Sequence, residues 1–65
     1  MALPPPVEGE VLFEFRRMGN VVKVSAIHVP SNTEVSLVGA PTAGEYGLKQ
    51  AAIRKLAFVL AKGQG

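Results

Sequence analysis

Cysteine, tryptophan and aspartate are absent from the 65 residues, and histidine occurs once, at His28. Each absence excludes a class of chemistry. Without cysteine there is no disulfide framework, no zinc–thiolate site and no thiol nucleophile. Without aspartate a Ser-His-Asp triad cannot be assembled, and one histidine beside five scattered glutamates is a poor basis for a metal centre. No apolar run approaches the ~18 residues of a membrane span, and the N-terminus lacks the charged-then-apolar order of a signal peptide. The expectation is a cytoplasmic, non-enzymatic protein with no catalytic residues, no metal, no cofactor and no membrane association.

Hydrophobic residues make up 48% of the chain and charged residues only 18%, which argues against disorder. The length allows one domain at most. Below about 70–80 residues a single core rarely supplies more than about 3–5 kcal/mol, so a partner is expected, and a second copy of the chain is the simplest one. Residues 11–65 carry seven cations against Glu14, Glu34 and Glu45, a net +4. That balance suits an anionic surface, and equally it suits ordinary solubility.

Residues 1–9 read as a flexible Pro-rich arm in which Pro4-Pro5-Pro6 sets a short polyproline II stretch. Residues 10–63 read as a single domain and 64–65 as a tail. Residues 10–18 alternate, with Val11, Phe13 and Phe15 on one face and Leu12, Glu14, Arg16 and Met18 on the other. Residues 21–29 are β-branched. The intervening Gly19-Asn20 suits a two-residue type II′ turn, which sets Met18 against Val21, Phe15 against Val24 and Val11 against His28. Pro30-Ser31-Asn32-Thr33 reads as the next turn, pairing Val29 with Glu34, His28 with Val35 and Ala26 with Leu37. After Gly39-Ala40-Pro41, Thr42-x-x-Glu45 has the form of a capping box. The helix then runs to about Lys62, with Gly63 placed to end it. Leu48, Ala52, Ile53, Leu56, Val59 and Leu60 form its apolar stripe, with Lys49 inside the arc and snorkelling outward. The fold expected is α+β, a three-stranded antiparallel meander in the order 1-2-3 with one C-terminal helix packed on one face (βββα).

Few groups carry chemistry. Gly39-x4-Gly44 sits where a phosphate-binding loop would, but Glu45 and Tyr46 stand where Lys and Ser/Thr are required. His28 falls on the core-facing side near a strand end and reads as structural. Glu14 and Glu34 lie on the outer sheet face, too far apart for an acid/base pair. Two surfaces stand out. The outer sheet face collects Leu12, Met18, Val21, Ile27, Val29 and Val38, more apolar surface than a solvated sheet face should show, and is a candidate self-association face. On it Arg16 directly opposes Lys23, a destabilising pair unless Glu14 or an anion neutralises them. On the helix back, Phe58 is framed by Arg54, Lys55 and Lys62. With Arg16 and Lys23 these form the candidate contacts for a protein partner or a nucleic acid.

The stretches VLFEFRRMGN, KVSAI, TEVSLVG and LKQAAIRKLAFVLAK resemble a family of short uncharacterised bacterial proteins, a domain of unknown function, over about residues 10–62. That resemblance implies no activity and no site residues. The βββα order with a Lys- and Ala-rich last helix is also similar to the C-terminal part of double-stranded-RNA-binding domains. That family's first helix, Gly-Pro-x-His loop and lysine cluster are missing, and only Lys49 and Ala51 fit. The leading expectation is a small self-associating module, a dimer, that contacts a macromolecular partner, a protein. The alternative is a nucleic-acid-binding domain.

Overall fold

A computed structural model describes residues 7–62. Strands β1 (Val11–Met18), β2 (Val21–His28) and β3 (Thr33–Gly39) form one antiparallel sheet in the order β1-β2-β3. A 3₁₀ turn at Pro41–Ala43 then leads into helix α1 (Gly44–Ala61). This is the α+β, βββα arrangement that the alternation and the two turns imply. The Met1–Pro6 part of the Pro-rich arm, the helix stop assigned to Gly63 and the tail at 64–65 lie outside the described residues.

The β1–β2 hairpin has the expected register, from Met18↔Val21 through Phe15↔Val24 to Val11↔His28. Gly19 takes φ +60° while Asn20 does not enter the left-handed region, as a type II′ turn requires. The second hairpin differs from expectation by two residues. His28 pairs with Thr33, Ala26 with Val35 and Val24 with Leu37. The turn is Val29–Asn32 rather than Pro30–Thr33. It closes by the Asn32 N–H donating to the Val29 carbonyl at 3.2 Å, with Asn32 at φ +55°. Asparagine tolerates that conformation, and so the chain reverses one residue early. Because side chains alternate with period two, a two-residue slip changes every partner and leaves both faces intact.

Val24, Ala26 and Val35 from the sheet meet Leu48, Ala52 and Leu56 from α1 to form the buried core. Ala57 is buried as well, beyond the stripe read from periodicity. The helix lies over β2 and β3. Val11, Phe13 and Phe15 of β1 pack against the core from one side and stay half-buried. The start of α1 also differs from expectation, since no side chain caps it. Thr42 is taken up in the 3₁₀ turn behind Pro41, and Gly44 at φ +80° swings the chain into the helix. Thr42 therefore sits too far upstream for a capping box, although Glu45 still places its charge at the positive end of the helix.

The last residues of the arm lie against the domain. Val7 packs on the core cluster, the Glu8 carbonyl accepts from His28 Nε2 at 2.7 Å, and the Glu10 carbonyl accepts from the Val29 N–H at 3.0 Å. Gly9 makes this path possible. Its φ is +97°, and a Cβ there would stand 2.6 Å from Pro30 Cγ. Gly9→Ala should therefore lose about 1–2 kcal/mol from the left-handed backbone alone. Thermal unfolding of the variant checks this, and an unchanged melting temperature would show that the segment is not held.

Candidate functional site

The register lays out the outer sheet face in cross-strand rows. Met18 and Val21 form one end. Arg16, Lys23 and Val38 form the next row, then Glu14, Ser25 and Ser36, then Leu12, Ile27 and Glu34, with Val29 beyond. The six apolar residues of the candidate self-association face are thus split into two groups. Met18, Val21 and Val38 occupy one end and Leu12, Ile27 and Val29 the other, with a polar band between them. Five of the six are exposed, from 36% at Val21 to 59% at Val38, and Ile27 is half-buried. Each group is small, but neither is covered by anything in the described chain.

The polar band contains a shallow cleft lined by Glu14, Arg16, Lys23 and Ser25. Arg16 directly opposes Lys23, as expected, and Glu14 opposes Ser25. None of the side-chain hydrogen bonds of the described residues engages Arg16 or Lys23; they involve Arg17, His28, Ser31 and Lys55. The two like charges therefore rely on the neighbouring Glu14 and on solvent. Glu34 lies one row from Glu14 and two strands away, roughly 10 Å at ~4.8 Å per strand, so the pair cannot share one reacting group.

The helix residues lie on the opposite side of the molecule. Phe58 is 49% exposed on the back of α1, with Arg54 and Lys62 also exposed. Lys55 is committed elsewhere, its Nζ donating to the Ser36 carbonyl at 2.7 Å on the β3 edge. Because α1 covers the inner sheet face, Arg16 and Lys23 point away from Arg54, Phe58 and Lys62. The six candidate contacts do not form one surface. Lys49 reaches out of the apolar arc and places its ammonium 5.2 Å from the centroid of the Phe13 ring. Neither lysine's destination is legible from helical phase alone, because each depends on which strand the helix overlies. Tyr46, 76% exposed at the start of α1, is a further aromatic that periodicity does not single out.

His28 is buried, with Nδ1 2.6 Å from Ser31 Oγ and Nε2 2.7 Å from the Glu8 carbonyl. A carbonyl only accepts, so Nε2 carries the hydrogen. Ser31 Oγ is also 2.8 Å from Thr33 Oγ1, and the ring thereby ties the end of β2 to both its turn and the N-terminal segment. Among the described residues no three His, Asp or Glu side chains are grouped to hold a metal.

Residues 8–63 match the family model described as Domain of unknown function (DUF6898). No curated protein and no solved structure matches the chain.

The exposure of Phe58 sets an expectation for its truncation. Phe58→Ala in an isolated monomer should lose about 1 kcal/mol, against about 3–5 kcal/mol for a core phenylalanine. Thermal unfolding at low concentration measures the difference, and a core-sized loss would show that the ring supports the fold.

Proposed function

The chain belongs to the DUF6898 family, and we propose that it acts as a non-enzymatic, self-associating module in the cytoplasm, a homodimer that contacts a protein partner. The observation that supports this reading is the uncovered apolar surface of the outer sheet face, set against a core of seven buried apolar side chains among the described residues. So small a core leaves little stability in reserve, and exposed Leu12, Met18, Val21, Val29 and Val38 remain to be covered by association. The commitment of the single histidine to Glu8 and Ser31 supports a structural role for it rather than a catalytic one. Among the described residues no helix is long and apolar enough to cross a membrane.

A second reading, nucleic-acid binding, is favoured by the cleft in which Arg16 and Lys23 stand together. It has less support, because Arg54 and Lys62 face the other way and Lys55 is engaged at the β3 edge. Such binding should weaken steeply with salt, and no detectable RNA or DNA binding at low salt removes it.

Self-association is tested by light scattering at micromolar and at tens-of-micromolar concentration. The expected mass rises from 6.8 kDa toward twice that value, and the melting temperature rises with concentration. A folded protein that stays strictly monomeric at both concentrations overturns the reading.

A further inference from the structure

The self-association just proposed leaves open which surface is used, and the inference here rests on that reading. Among the described residues, β1 has a strand neighbour on one side only. Glu10 bonds to Val29 on that side. Hydrogen-bonded positions alternate along an antiparallel pair, so Leu12, Glu14, Arg16 and Met18 direct their backbone groups to β2. Val11, Phe13, Phe15 and Arg17 direct theirs to the open edge. The strand is eight residues long and has no proline, and α1 lies mainly over the other two strands. An edge of this kind is a template for another strand.

We propose that two copies of the chain associate by antiparallel pairing of β1 with β1 about a two-fold axis at Phe15. In this register Phe15 opposes Phe15 of the second copy, and Phe13, Phe15 and Arg17 of each copy exchange backbone hydrogen bonds across the axis. The side chains follow from strand alternation. Glu14 opposes Arg16 of the second copy, and by symmetry the pair occurs twice. It supplies to Arg16 the opposite charge that its own cross-strand neighbour Lys23 does not. Leu12 opposes Met18 of the second copy, so two side chains that are 48% and 49% exposed cover each other. On the inner face Phe13 opposes Arg17 of the second copy, a side chain that donates to its own Gly19 carbonyl within one copy.

Charge complementarity selects this register over its neighbours. A shift by one residue sets edge-facing backbone groups against residues whose groups face β2. A shift by two residues one way opposes Glu14 to Glu14 and Arg16 to Leu12. The same shift the other way opposes Arg16 to Arg16 and Glu14 to Met18. Of these registers, the one centred on Phe15 satisfies the charged and apolar positions of the outer face together. It also joins Leu12 and Ile27 of one copy to Met18 and Val21 of the other, so the separated groups of the outer face become contiguous.

The test uses the full chain with two single substitutions, Glu14→Arg and Arg16→Glu, followed by sedimentation equilibrium. Both side chains are exposed. Arg16→Glu also relieves the clash with Lys23 within one copy, so loss of association cannot be ascribed to unfolding, and circular dichroism confirms the fold. Each variant alone should dimerise at least about tenfold more weakly than the parent, since both symmetry-related pairs become like-charged. An equimolar mixture of the two should recover a one-to-one heterodimer, as should the double variant Glu14→Arg/Arg16→Glu with itself. Variants that dimerise as well as the parent, or a mixture no tighter than its components, overturn the β1 pairing and place association on another surface. A parent chain that is monomeric throughout overturns the self-association reading itself.

Discussion

One helix has to cover a sheet of three strands, and its width does not reach. With side chains an α-helix is about 10–12 Å across, while strands lie ~4.8 Å apart, so α1 overlies two strands well and a third poorly. The two it overlies are β2 and β3, and Val24, Ala26 and Val35 are buried beneath it. On β1 the inner-face residues Val11, Phe13 and Phe15 are left half-covered. The N-terminal segment with Val7 and the ammonium of Lys49 over Phe13 extend the cover from two sides without completing it. The small core and the half-covered inner side of β1 follow from this mismatch, and a single helix leaves the outer face without a second layer among the described residues.

Polar side chains do much of the fastening that a larger core would do elsewhere. His28 joins the Glu8 carbonyl to the β2–β3 turn through Ser31, which anchors the segment carrying Val7. Lys55 joins α1 to the β3 edge through the Ser36 carbonyl. Buried polar side-chain atoms without a partner are absent among the described residues, so these bonds satisfy the groups they involve while fixing where the helix and the N-terminal segment sit. Such bonds each add only about 0.5–1.5 kcal/mol net, but at His28 breaking one strands a partly buried partner, and the asymmetry gives that site weight in a fold this small.

How much of this was legible in the sequence depends on turn length. Gly19-Asn20 leaves a two-residue loop, and a loop that short determines the register of β1 and β2 residue by residue. The second turn holds proline, serine and asparagine together, and several reversals of similar length fit it. Hydrophobic alternation cannot choose among those that differ by two residues, since both keep Ala26 and Val35 inward. The left-handed Asn32 makes the choice, and nothing in the apolar pattern announces it. The capping box at Thr42 failed for the same kind of reason, because Gly44 bends the chain where the motif needs a regular first turn. Which residues face outward was legible from alternation. The separation of the apolar residues into two groups, and of Arg16 and Lys23 from the helix cations, needed the packed arrangement. The destinations of Lys49 and Lys55 needed to know which strands α1 overlies.

The two edges of the sheet are not equivalent, and the difference bears on what association could build. A sheet with two open edges invites unlimited addition of strands, whereas a two-fold contact that consumes one edge closes on itself. At β3 the Lys55 ammonium occupies the Ser36 carbonyl, an acceptor that an added strand would need, and it places a charge where a new strand would run. At β1 the edge-facing backbone carries no such block in the described residues, and the charges of Glu14 and Arg16 are arranged so that one antiparallel register is attractive while its near neighbours repel. Pairing through β1 would therefore stop at two copies, because each dimer presents only β3 edges. A sheet with one guarded edge and one charge-coded edge is suited to a closed dimer, and poorly suited to a fibre.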